Sequence, residues 1–244
     1  MYTLIGLLDG MIHTWIAHFS ALLPQYDALW PTLTPDERER AARFVDPAVG
    51  RRFAVGRGFL RRRLADLLDI TPEAVQFAYG ERGKPHLHAA HRSDWRFNLS
   101  HADDVLLLAG CIGHEIGADV ERVRPMDNMP TVARISFSEA ERRALFALPP
   151  DDQLTAFYTC WTRKEAYIKA VGDGFALPLH DFSVTLRRDE APRLLSAVGD
   201  DVTRWTLYHV EPADGYIAAV CVANTPDTSR PTPKNENMRG GWQP

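Results

Sequence analysis

Phe97 to Glu121 reads FNLSHADDVLLLAGCIGHEIGADVE. Its centre, Val105-Leu106-Leu107-Leu108-Ala109, is an unbroken apolar run of strand length and predicts a buried strand. Gly113 and His114 suit a turn, and Ile116 to Val120 read as a short return strand, so the stretch predicts a hairpin. Polar groups stand at both ends, Ser100 and His101 before the hairpin and Asp119 and Glu121 after it. Residues two apart in a strand share a face, so the carboxylates of Asp119 and Glu121 project together.

A second stretch, Phe157 to Lys169, reads FYTCWTRKEAYIK. It lacks Gly and Pro, and Phe157, Trp161 and Ile168 fall near one apolar stripe, which predicts a helix. Glu165 and Lys169 are four apart and share a helical face. Three carboxylates, a histidine and a lysine suit a hard divalent cation holding a phosphate. Oxygen donors favour Mg²⁺, which keeps waters and takes substrate phosphates as ligands.

The remaining sequence is read outward from these two stretches. Thr34-Pro35-Asp36-Glu37 predicts a capped helix start, and Asp46-Pro47 a stop near Val45. A longer helix is expected from about Ala48 to Leu68, with Phe53, Leu60, Leu64 and Leu67 inward and most of its six arginines on a solvated face. Arg82-Gly83-Lys84-Pro85 forms a turn in which Gly allows close backbone approach to a ligand and Lys84 can neutralise phosphate. Ser138 and Glu141 predict a second capping box, and the helix of the second stretch is expected over about Asp151 to Val171. Ile12–Phe19, Trp205–Val210 and Tyr216–Val222 read as strands, the last two as a closing antiparallel pair. From Asn224 the chain is polar and rich in proline and glycine, the composition of a disordered tail.

Composition sets wider bounds. With 244 residues, 45% hydrophobic and 25% charged, the chain has ample material for a large core in one domain or two small ones. A net charge of −4 gives no footing for nucleic acid as the main partner. Cys111, Cys160 and Cys221 are an odd number of scattered thiols, which reads as reduced and cytoplasmic. The N-terminus lacks a basic leader and is broken by Asp9, His13 and His18, so it reads as neither signal peptide nor membrane span; Met11 is a second candidate start.

Taken together, Phe97-Asn98-Leu99-Ser100-His101, Gly117-Ala118-Asp119-Val120-Glu121 and Trp161-Thr162-Arg163-Lys164-Glu165-Ala166-Tyr167-Ile168-Lys169 resemble, in order and spacing, the three signature blocks of the Sfp-type 4′-phosphopantetheinyl transferases. The resemblance runs from about Leu33 to Val222, with Ala118 standing where that family usually has Ile or Val. It implies an α+β fold of two similar α/β halves forming a pseudo-dimer around coenzyme A, although the residues themselves show no repeat. On that division, residues 1–121 are the first half, 122–223 the second and 224–244 the tail.

The resemblance also implies site roles. Asp119, Glu121 and Glu165 would hold Mg²⁺. Arg40, Arg52, Lys84, Ser100, His101 and Lys169 would contact coenzyme A, with Arg52 placed by its distance to Gly56. Glu165, Lys169 and Asp119 would carry catalysis, with Glu165 taking the proton of the attacking serine and Lys169 assisting the leaving 3′,5′-ADP. The implied partner is an apo acyl or peptidyl carrier protein, and the implied state a monomer. A nucleophile–base pair from Ser100 and His101 is a poor alternative, because adjacent strand residues face opposite ways and no G-x-S-x-G elbow is present. Two other classes stay open: a Mg²⁺-dependent phosphohydrolase acting on coenzyme A or nucleotides, and a coenzyme A-binding protein without catalysis. Lys164 reads as a surface charge or a phosphate aid, and Trp161 as core.

Overall fold

The computed structural model describes residues 2–6, 11–80, 83–172 and 177–226. The chain opens with β1 (Tyr2–Gly6), β2 (Met11–His18) and two short helices, α1 (Phe19–Leu22) and α2 (Tyr26–Leu29). Then come α3 (Pro35–Ala42), the 22-residue α4 (Pro47–Leu68), and strands β3 (Phe77–Tyr79), β4 (Pro85–Leu87), β5 (Trp95–Ala102) and β6 (Val105–Ile112). β7 (Ile116–Arg122), α5 (Met129–Ser136), α6 (Glu139–Phe146) and the 22-residue α7 (Pro150–Val171) follow. The chain ends in β8 (Phe182–Val184), β9 (Leu194–Ala197), β10 (Trp205–Val210) and β11 (Tyr216–Ala223).

Two antiparallel sheets organise these elements, β1-β2-β6-β5 and β10-β11-β7. Without β1 they share one plan: β2-β6-β5 corresponds to β7-β11-β10. Each half runs strand, capped short helix, 22-residue helix, two-stranded ladder (β3–β4 or β8–β9), then two strands that complete the sheet. This is the α+β duplication the resemblance implied.

The expected hairpin is not formed. β6 is already hydrogen-bonded to β2 on one edge and β5 on the other, so it has no edge left for β7. β7 instead pairs with β11, from Ile116 opposite Val222 to Arg122 opposite Tyr216. By sheet membership β7 therefore goes with the second half, and the break falls between Ile112 and Ile116 instead of at 121. The tail residues 227–244 and Arg82 lie outside the described residues.

The apolar run of β6 is covered on both faces. Val105, Leu107, Ala109 and Cys111 enter a core shared with Ile116, Ala118 and Val120 of β7 and with β11. Leu106 and Leu108 point the other way, toward residues of α4. The alternation of β7 decides the site: Ile116, Ala118 and Val120 face the first sheet, so Gly117, Asp119 and Glu121 face away from it. A Cβ on Gly117 would lie 2.1 Å from the Ala166 carbonyl oxygen and 2.3 Å from the Ala170 nitrogen, so only glycine lets α7 pack this closely on β7.

Both predicted capping boxes form, and each glutamate has a second use. Glu37 accepts from the Thr34 amide at 3.0 Å and from Arg61 Nε at 2.7 Å. Glu141 accepts from the Ser138 amide at 2.8 Å and from Lys164 Nζ at 2.7 Å. Arg61 is 1% exposed and also donates to the carbonyls of Pro72 and Val75; Arg57 lies beside it, 3.5 Å from Glu37. The solvated-face reading of the α4 arginines fails for these two, because a buried carboxylate is there to receive them. Lys164, wholly buried and donating to the Phe182 carbonyl at 2.6 Å, is likewise neither a surface charge nor a phosphate ligand. The three cysteines are free and buried, as expected of reduced core thiols.

Candidate active site

β5, β7 and the last turns of α7 meet where the two halves join. The Asn98 side-chain oxygen accepts from the Ala118 amide at 2.8 Å, fastening β5 beside β7 without a strand ladder between them. Two residues on along β5 and one along β7, Ser100 Oγ donates to Asp119 Oδ1 at 3.1 Å. Lys169 Nζ reaches the same oxygen at 2.6 Å and stands 3.3 Å from Ser100 Oγ. Asp119 is 5% exposed, and its Oδ2 is buried with no hydrogen-bond partner among the described residues.

Three carboxyl groups gather here at a cost. Burial raises the pKa of Asp119, against the opposing pull of Lys169. Glu121 and Glu165 are raised by burial first and by the Asp119 charge second. Charge-raising neighbours of this kind are relieved by a cation. The orphaned Asp119 Oδ2, with Glu121 and Glu165 electrostatically coupled to it, is a donor set that fits a hard divalent ion. Among the described residues no three such groups already close into a cage. Lys169 supplies the counter-charge to Asp119 in this structure.

The expected phosphate contacts divide into two groups. Arg52 and His101 sit together: the Arg52 guanidinium lies 4.1 Å above the Phe19 ring, and the imidazole meets the same ring edge-on at 5.7 Å. Burial, then the positive charges of Arg52 and Lys169, lower the pKa of His101. Lys84 is taken by backbone carbonyls, and Arg40 stands on α3 over a different ring. Lys84 donates to the carbonyls of Lys169 at 2.6 Å and Ile116 at 3.0 Å, and lies 3.6 Å from Glu115, tying α7 to the start of β7. Gly83, at φ +80, meets nothing within 4 Å of a built Cβ, so its glycine serves the turn. Arg40 lies over Phe53 of α4 at 5.0 Å. Trp161 is half-buried, stacked on Phe157, and hydrogen-bonds Glu121.

Sequence reasoning did not single out Phe19, Asn98 or Gly117, although Asn98 and Gly117 stand inside the quoted motifs. Phe19 carried no signal, since its role comes from tertiary contact alone.

Comparison with known proteins follows the same division. Residues 17–113 match a family model described as 4′-phosphopantetheinyl transferase, N-terminal, and residues 115–221 match that of the 4′-phosphopantetheinyl transferase superfamily. The chain belongs to this superfamily of transferases. Among its relatives, the 4′-phosphopantetheinyl transferase HetI of Nostoc is 36% identical over 241 residues, covering 98% of this chain and 93% of the relative. The 4′-phosphopantetheinyl transferase Sfp of Bacillus subtilis is 31% identical over 192 residues, covering 79% and 83%. AcpT of Salmonella typhimurium is 43% identical over a shorter 117 residues, covering 48% and 56%.

Proposed function

We propose that this protein transfers the 4′-phosphopantetheine arm of coenzyme A to a serine of an apo carrier protein, releasing 3′,5′-ADP in a Mg²⁺-dependent reaction. The observation that carries the reading is the buried Asp119 carboxylate, one oxygen held by Lys169 and Ser100 and the other without a partner among the described residues.

Asp119, Glu121 and Glu165 would hold Mg²⁺. When bound, the ion supplies charge neutralisation for the pyrophosphate, the dominant need in phosphoryl-type transfer. Arg52 and His101 hold coenzyme A phosphate at the Phe19 platform. Glu165 takes the proton of the carrier serine, and its raised pKa makes it a stronger base than an ordinary carboxylate once ionised. The serine oxygen forms a bond to the phosphorus carrying the pantetheine arm, and the bond from that phosphorus to the oxygen of 3′,5′-ADP breaks. Lys169 donates to the departing phosphate. One chain supplies both halves of the junction, which supports action as a monomer.

The test is intact mass measurement of an apo carrier protein after incubation with this protein, coenzyme A and Mg²⁺, beside a chelator control. A pantetheine-sized gain that needs the metal is expected, and Asp119→Ala should abolish it. Carrier-independent breakdown of coenzyme A, with no gain on any carrier, would overturn the reading in favour of a hydrolase.

A further inference from the structure

Arg52 is held in place by the turn between β5 and β6. The Asp103 carbonyl accepts from its guanidinium, and Asp103 sits at φ +42, a left-handed conformation that aspartate tolerates better than most residues. The Asp103 carboxylate is taken from the other half of the molecule, by Arg122 at 3.1 Å and Arg124 at 2.9 Å, at and just beyond the end of β7. Asp104 fixes the other side of the turn. Its carboxylate accepts from the Ser20 amide at 2.7 Å and the Ser20 hydroxyl at 2.8 Å, and lies 3.2 Å from His18 Nδ1. Its carbonyl accepts from the Phe19 amide at 2.8 Å. Phe19 is the ring that carries both Arg52 and His101.

We propose that Asp103 is a positioning residue for coenzyme A: by gripping Arg122 and Arg124 of the second half, it sets the carbonyl that aims Arg52 at the substrate's phosphate. The inference rests on the coenzyme A reading of Arg52 and His101. A guanidinium has five N–H groups in a rigid plane, so anchoring one on a carbonyl orients the fork and leaves others for phosphate. The Asp103 ion pairs are solvent-exposed, with Arg122 and Arg124 side chains 54% and 58% accessible, so they contribute little to folding. Their consequence lies in where they hold the turn. Asp103 also joins the residues that follow Glu121 to the turn that follows His101, so the metal-binding strand and the phosphate-binding strand are set against each other through one side chain.

The experiment is steady-state kinetics of carrier modification with coenzyme A and carrier varied separately. Asp103→Asn keeps the tolerance for positive φ and removes the charge. We expect KM for coenzyme A to rise about tenfold, the loss of roughly one well-aimed charged contact, with kcat and KM for the carrier nearly unchanged and the melting temperature preserved. In an Arg52→Ala background the same substitution should have no further effect. If Arg52→Ala raises KM for coenzyme A but Asp103→Asn does not, the positioning role is overturned while the phosphate reading stands. A rise confined to KM for the carrier would overturn it too, since Asp103 would then act only through Arg122 and Arg124. If Arg52→Ala itself leaves KM for coenzyme A unchanged, the phosphate reading fails and the inference falls with it.

Discussion

His101 is accessible to solvent yet surrounded by positive charge and the Phe19 ring, so its neutral form is favoured. A histidine whose folded pKa lies below its unfolded one contributes stability above the unfolded value and loses it as pH falls through the folded one. An NMR titration of His101 should therefore show a midpoint below the ordinary histidine value of 6.5, and Arg52→Ala should raise it. A midpoint at or above the ordinary value would contradict the convergence of charge described for this corner. The carboxylates behave in the opposite sense. Asp119, Glu121 and Glu165 have raised pKa values, so their contribution to the stability of the metal-free protein is greatest below the unfolded carboxylate pKa and is lost as pH rises through the folded values. A bound cation reverses that penalty. The rise in melting temperature produced by Mg²⁺ should be largest at neutral pH and should vanish as pH falls into the carboxylate range. A Mg²⁺ effect that is independent of pH, or survives in Asp119→Asn, would place the ion elsewhere.

At the scale of the element, each long helix is fixed by one buried cation reaching back to the capping glutamate of the helix before it. Arg61 on α4 meets Glu37, and Lys164 on α7 meets Glu141. Lys164 precedes Glu165 in sequence, so the bond that buries one sets the helical phase of the other. Lys164→Met should leave Glu141 buried without its cation and destabilise the protein by about 3–5 kcal/mol. Ser138→Ala, which removes the cap and the acceptor of Ser183 Oγ, should cost less, about 1–2 kcal/mol. Equal losses for the two in chemical denaturation would mean that the ion pair is not buried as described. Gly117→Ala should be at least as damaging as a typical overpacked core, about 1–3 kcal/mol or more, because the added methyl meets the α7 backbone instead of a movable side chain.

The whole molecule is two sheets sharing one core. Ile12 and Leu107 of the first half pack in the same cluster as Ala118 and Val220 of the second, and Lys84 bridges the start of β7 to the end of α7. Neither half buries its sheet face without the other. Unfolding should therefore be a single cooperative transition, and residues 1–113 expressed alone should lack dispersed amide resonances. A well-folded isolated half would show that the shared core is dispensable. Among the described residues no helix is long and apolar enough to cross a membrane.

The sequence by itself determined the local elements and the chemical inventory. Thr34 and Ser138 carried their caps, β6 its apolar run, and β7 the alternation that puts Asp119 and Glu121 on one face, because capping and strand periodicity act over a few residues. The duplication was not legible in the chain: its trace, two capping boxes each followed, 24 and 23 residues after the glutamate, by a buried cation, acquires meaning only once the cations are seen to be buried. Pairing was decided in three dimensions. Nothing within Phe97–Glu121 says that both edges of β6 are taken by β2 and β5, and that is what sends β7 to β11 and away from its neighbour in sequence. The same tertiary step turned Arg61 and Lys164 inward, gave Lys84 to backbone carbonyls, and brought Phe19 beneath Arg52 and His101. The charge of such a side chain is fixed by its type, but its partner is fixed by which desolvated group the fold leaves within reach.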